Sequence, residues 1–181
     1  MPLRVARLTA LDALSHALES AVCTKSTPES RELSFAAFQK IEPVIEPILK
    51  GEATTAQRGD MLRGAALAGQ AIESSMLGAA HATANPLTAH FDVVHGRAVL
   101  TMLPTIMRWN STVVGEIYEE LRPDLIEWVE GLRTIAELEP VQVPAEMIPQ
   151  LAAEATKQWT GQFNPRSFDE ADFVSLYRDA L

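Results

Sequence analysis

Two short segments hold all four histidines of this chain. The stretch His81-Ala-Thr-Ala-Asn85-Pro-Leu-Thr-Ala-His90-Phe-Asp-Val-Val-His95-Gly96 carries three, and Leu11-Asp12-Ala-Leu-Ser-His16-Ala-Leu-Glu19 carries the fourth. Histidine is the commonest metal ligand among side chains and the one most easily tuned for proton transfer near neutral pH. Asp12 and His16 are four residues apart, so on a helix both side chains lie on one face and can reach one ion. The same spacing also describes an ordinary hydrogen bond on a helix surface. His81 and His95 are fourteen apart, too far to meet along one straight helix. A break at Asn85-Pro86 would let the chain turn, with His95 starting the next helix and facing back. The four residues together would make an N3O set, which suits Zn2+ or Fe2+. Three unrelated histidines at helix ends is the competing reading, and spacing alone leaves both open.

The elements that must position these residues all read as helices. Thr9 caps a first helix over roughly residues 10–23. A second runs from about Ser30 to a stop at Gly51, kinked or split by Pro43 and Pro47. A third starts at Thr54 or Thr55 and extends to about Ala84, where Asn85-Pro86 ends it. Gly64 and Gly69, in its small-residue middle, predict close backbone packing and a central position. From His95 a helix continues through Met107, interrupted at Pro104. Asn110-Ser-Thr112 ends it and caps the next, which reaches Leu121. Pro123 opens a helix through Ile135, and residues 141–144 form an extended link. Pro144 starts a helix to about Trp159, residues 161–165 form a loop, and Ser167-Phe-Asp-Glu170 has capping-box spacing for a last helix ending at Leu181. No hairpin dipeptide and no sustained period-two alternation marks a strand. The expectation is an all-α fold: a single domain over residues 1–181, built as a bundle of about eight or nine helices.

Composition narrows the function classes. With 181 residues, 47% hydrophobic and 22% charged, the chain is long enough for one well-buried core. A formal net charge of -9 argues against a nucleic-acid surface, which needs clustered Lys and Arg. Cys23 is the single cysteine and has no internal disulfide partner, which points to a reducing compartment. No apolar run approaches the roughly 20 residues that span a bilayer, and residues 1–7 lack an apolar core of signal-peptide length. A cytoplasmic protein without nucleic-acid or membrane partners is expected.

Motifs sharpen the metal reading. Asp12 to Glu19 resembles the first metal-ligand segment of the iron-containing (group III) alcohol dehydrogenases. Gly78-Ala-Ala-His81, then Asn85-Pro-Leu-Thr, then His95-Gly96 and Leu103-Pro104 with Asn110, is similar to that family's second signature in the same order. Phe163-Asn-Pro-Arg166 resembles its C-terminal end. The resemblance implies one divalent metal, Fe2+ or Zn2+, held by Asp12, His16, His81 and His95. It implies a metal acting as a Lewis acid on the oxygen of a small alcohol or aldehyde, with hydride exchanged with NAD(P).

Two departures from the family pattern follow. The family carries an N-terminal dinucleotide-binding half, yet this sequence shows no Gly-x-Gly-x-x-Gly, no Gly-Gly-Gly-Ser and no strand pattern. The N-terminal dinucleotide-binding domain is therefore expected to be absent. NAD(P) would enter only with a nucleotide-binding half, a separate polypeptide being one source, and the chain alone would be inactive. The second departure is Asn85, the candidate catalytic position, where many members carry a histidine. Asparagine hydrogen-bonds but does not shuttle a proton by changing charge, and Asn before Pro is also plain turn chemistry.

The remaining features read more simply. His90 carries no family role. Cys23 reads as a buried small hydrophobe, and the Asn110-Ser-Thr sequon as a helix end. Phe91, Trp109 and Phe163 are candidate cleft walls, though core packing is the commoner use. Arg97 and Arg166 could meet an anionic ligand group, with a salt bridge favoured. Exposed apolar surface predicts a homodimer. A non-catalytic metal-binding or scaffold protein derived from the same domain is the competing function, and metal analysis separates a filled site from an empty one.

Overall fold

The computed structural model describes residues 1–181 as eight α-helices, two short 3-10 turns and no strands. Helix α1 (Leu3–Val22) starts about two turns before the Thr9 signal, because Pro2 in extended conformation serves as its N-cap. Thr9 instead donates its hydroxyl back to the Val5 carbonyl within the helix (2.9 Å). Helix α2 (Pro28–Lys50) begins at a reciprocal box between Thr27 and Ser30, with proline in the first turn. Pro43 and Pro47 lie inside it without splitting it. Pro43 and Gln39, whose carbonyls lose their i+4 donors to these prolines, are exposed, so water can replace the missing bonds. The opposite face buries Ile41, Val44, Ile45, Ile48 and Leu49 and holds the helix together. Gly51, at φ 80°, ends it as expected.

Helix α3 (Thr55–Ser74) is an outer helix, not a central one: it buries only Met61, Gly64, Ala68 and Ala71 and leaves Leu62 exposed. Gly64 is needed, since a Cβ there would fall 2.5 Å from Ile41 Cγ1 of α2. Gly69 would meet nothing within 4 Å, so the packing argument fails for it. The long helix expected through Ala84 is divided at residues 75–78, and α4 (Ala79–Phe91) runs straight through Asn85-Pro86. The break that frees the histidines is therefore not at the proline. Tertiary packing overrides the local signal, because Pro86 and Leu87 are buried and the Tyr177 hydroxyl donates to the Thr83 carbonyl (2.6 Å) one turn earlier.

Helix α5 (His95–Leu121) also passes its expected stops at Pro104 and Asn110; its one irregular residue is Val114, at φ -127° and ψ 19°. Asn110 caps nothing, since its side chain is buried against Asn164. Helix α6 (Leu125–Ile135) follows Pro123 as expected, and the extended link leads to a 3-10 turn at Ala145–Met147. Helix α7 (Ile148–Ala155) stops earlier than expected, and a 3-10 turn at Trp159–Phe163 occupies part of the expected loop. Helix α8 (Glu170–Ala180) starts from Asp169 and Asp172, not from Ser167 and Glu170.

Helices α1, α2 and α3 pack together as one group, and α5 contacts α4, α6 and α8 in a second, with α7 against α4 and α8. Buried Ser20 and Ser34 bond across α1 and α2 (2.8 Å). The two groups meet chiefly where α1 lies against α5, with a smaller contact between α2 and α6. Leu11, Leu14, Leu18, Ile45, Leu49, Leu87, Leu100, Leu103, Phe173 and Tyr177 fill one continuous core. At about 25 cal/mol per Å2 of apolar surface removed from water, this core is the chief source of stability. The seam between the groups carries the histidines.

Candidate metal centre

Gly96 sets the closest approach along this seam. A Cβ on it would lie 2.2 Å from the Leu8 carbonyl oxygen, so only glycine lets the start of α5 touch the α1 backbone one turn before Asp12. His95, the first residue of α5, is thereby carried to Asp12. His81 sits in the first turn of α4, not near the end of a long helix. The ten residues from there to Phe91 advance about 15 Å. The steps from Phe91 to His95 span at most about 14 Å in return. Asp92, in the left-handed region at φ 50°, makes the reversal, so the turn lies after α4 and not at Pro86.

Three of the four expected residues, Asp12, His81 and His95, form one compact group, and His16 stands beside it, near Asp12 and His81 but outside the set whose ligand atoms are all mutually close. Asp12 Oδ1 lies 3.7 Å from Nε2 of His16, of His81 and of His95. Ligand atoms of Asp12, His81 and His95 all fall within 4.8 Å of one another, and the His16 ring stacks on His81 with centroids 5.0 Å apart. A separation of 3.7 Å is too long for a hydrogen bond. It approaches the roughly 3–3.5 Å edge of a tetrahedron whose ligands stand about 2.1 Å from a central ion. Asp12 Oδ1 and His81 Nε2 are both buried without any hydrogen-bond partner. Buried polar atoms are costly when unpaired, and two of them pointing to one place is what a cation between them would satisfy. The donor set fits a divalent ion.

One side of the cluster is closed and the other open. The His81 side chain is 5% exposed and the His95 side chain 36%, so a small ligand would arrive from the His95 side. Behind His81 lies Glu19, a buried carboxylate that accepts the His81 Nδ1 proton and the Ala80 N–H (2.8 Å). Burial disfavours an imidazolium at His81, but the Glu19 and Asp12 carboxylates overcome it and raise the group to about 9. Burial, with repulsion from His81, outweighs the carboxylates at His16 and His95 and pushes both down. Burial would raise the Asp12 carboxyl, yet the surrounding histidines hold it low. Glu19 was legible as a position, since residues 12, 16 and 19 share one stripe of α1. Its partnership with His81 was not, because it joins two distant helices.

The other candidates separate from the cluster. Asn85 donates to the Gln158 side chain (2.9 Å), a bond that fits neither a turn nor a proton relay. His90 pairs with Glu154 on the surface (2.8 Å). Arg97 donates to the Glu139 and Pro140 carbonyls (3.0 and 2.9 Å), and Arg166 to the Trp109 carbonyl (2.9 Å) while covering the Trp109 ring. Neither forms the salt bridge that was favoured; both brace backbone. Phe91 and Trp109 pack against the core, and Phe163 meets Trp159 edge-on. Cys23 is buried as expected.

Comparison with known proteins gives the family and the fold. Residues 6–130 match the family described as "Fe-containing alcohol dehydrogenase family, C-terminal". Lactaldehyde reductase of Escherichia coli is 29% identical over 99% of this chain and 52% of its own length. Long-chain-alcohol dehydrogenase 1 of Geobacillus thermodenitrificans is 30% identical over 100% of this chain and 51% of its own. The crystal structure of an iron-containing alcohol dehydrogenase from Thermotoga maritima superposes with a TM-score of 0.89 at 26% identity, covering 100% of this chain and 50% of that one. The chain spans about half the length of the curated relatives it matches. No helix is long and apolar enough to cross a membrane.

Proposed function

The chain belongs to the Fe-containing alcohol dehydrogenase family, through that family's C-terminal part, and from that premise we propose that Asp12, His16, His81 and His95 hold one divalent ion, Fe2+ or Zn2+, for oxidoreduction of small alcohols or aldehydes. The observation that carries this reading is the pair of orphaned buried atoms, Asp12 Oδ1 and His81 Nε2, facing one another among three imidazoles. Bound there, the ion supplies Lewis-acid stabilisation of charge on the substrate oxygen.

The chain's own residues do the rest of the positioning. Asp12 brings the negative charge that three neutral imidazoles lack. The closed His81 side excludes water, and the open His95 side admits substrate. Asn85 holds Gln158 and takes no proton. Relatives named for lactaldehyde and long-chain alcohols support a primary alcohol or aldehyde as the substrate class. NAD(P) is commonly held on a Gly-rich strand-to-helix turn, and residues 1–181 are helical with no strand to build one. The proposal therefore includes a nucleotide-binding half, in the same polypeptide or a separate one.

Cobalt(II) substitution tests the reading. The expected result is a four-coordinate visible spectrum that shifts when a primary alcohol or its aldehyde is added. A cobalt-loaded protein whose spectrum ignores both compounds would overturn the substrate assignment.

A further inference from the structure

Helix α4 has no cap of its own. Its N-cap, Gly78, carries no side chain, and a Cβ there would lie 2.9 Å from Glu19 Oε1 and 3.0 Å from Asn164 Oδ1. Those two oxygens stand where a cap would be. The Ala79 N–H donates to Asn164 Oδ1 (3.2 Å) and the Ala80 N–H to Glu19 Oε1 (2.8 Å). The helix start is thus capped by α1 and by a residue near the C-terminus, and a carboxylate is favoured at that positive end. The second Glu19 oxygen takes the His81 Nδ1 proton. Both oxygens are engaged, so Glu19 is not itself a metal ligand.

Asn164 is fixed in turn. Its amide pairs reciprocally with Asn110 (3.0 and 2.8 Å), and its Nδ2 also donates to the Arg166 carbonyl (2.7 Å). The Arg166 guanidinium lies 3.3 Å from the centroid of Trp109, anchoring the segment to α5. Glu19 and Asn164 are each 5% exposed, so water cannot take their place.

We propose that Glu19, braced by Asn164, is a positioning residue of the metal centre: it locks the start of α4 to the His81 ring, keeps the proton on Nδ1 and leaves Nε2 free to face the ion. The inference rests on the four-ligand reading above. A ligating histidine whose other nitrogen donates to a carboxylate is held in one tautomer and one orientation, and loss of such a partner costs about 10- to 100-fold in metal affinity.

Glu19→Gln is the informative variant, because it keeps the shape and changes only the bonding. Two donors face the side chain, and a glutamine has one oxygen to offer them. Its amide group must oppose a donor, or donate to His81 Nδ1 and move the ring proton to Nε2, where the ion belongs. Zinc affinity of the wild type, Glu19→Gln and Asp12→Ala is measured by chelator competition. Histidine 15N resonances of the zinc-loaded wild type report which His81 nitrogen carries the proton. The expected results are a proton on Nδ1 in the wild type and about 10- to 100-fold weaker zinc binding in Glu19→Gln. Wild-type affinity in Glu19→Gln, or zinc on Nδ1 in the wild type, would overturn the inference while leaving the metal site standing. The wild-type resonances decide even where the variant does not fold. Wild-type affinity in Asp12→Ala would instead remove the four-ligand reading, and this inference with it.

Discussion

Asp12 Oδ1 stands 3.7 Å from three imidazole nitrogens and accepts a hydrogen bond from none of them. That arrangement makes sense only with a positive charge at its centre, supplied either by an ion or by a proton. The raised His81 value says which proton: in the metal-free chain the imidazole stays charged up to about pH 9. An ion must displace this proton, so protonation favours the empty site and metal affinity rises with pH. About tenfold per pH unit is expected for one displaced proton, flattening above pH 9. Zinc titrations from pH 6 to pH 8 check this, and a flat affinity would contradict it. His90, tied to Glu154 away from the cluster, makes the control residue: His90→Ala should leave zinc affinity unchanged in the same titration. The four proposed ligand positions stand out in the sequence because family-like motifs fix their order, and helical periodicity puts Asp12 and His16 on one face. Asn164 and the role of Glu19 do not, since they act across distant parts of the chain.

Helix boundaries were the least legible part of the sequence, and the prolines show why. Pro43, Pro47, Pro86 and Pro104 each predict a kink, break or interruption, and all four lie inside helices. A proline forfeits one hydrogen bond and crowds the preceding turn, but burial of the adjoining apolar stripe in the core outweighs that local cost. Around the histidine cluster the breaks come where glycine or a left-handed residue allows a close approach or a reversal: at Gly78, beside Glu19 and Asn164, and at Asp92. Gly96 is the most sensitive of these positions, because a fixed backbone oxygen of α1, not a flexible side chain, lies 2.2 Å from its would-be Cβ. Gly96→Ala is expected to cost about 3 kcal/mol of folding stability, the upper end for overpacking, and to weaken metal binding by moving His95. Chemical denaturation with a parallel zinc titration measures both. A stable variant with wild-type affinity would mean that α1 and α5 are not locked together here.

The whole molecule is one helical body whose seam carries the histidine cluster, and the all-α bundle of eight helices was legible from helical patterning and the lack of strand signals. The chain spans about half the length of its curated relatives, and the proposed reading assigns nucleotide binding to a further half. Metal-loaded chain with a primary alcohol and NAD(P)+ should produce no NAD(P)H above background, and steady turnover by the chain alone would refute the division of labour. The central claim is that Asp12, His16, His81 and His95 hold the ion, and metal content tests it most directly. Purified wild-type chain, loaded with Fe2+ or Zn2+ and freed of excess, should retain about one ion per chain by elemental analysis. Asp12→Ala, prepared identically and shown by circular dichroism to keep its helices, should retain almost none. Equal metal in the two proteins would contradict the account.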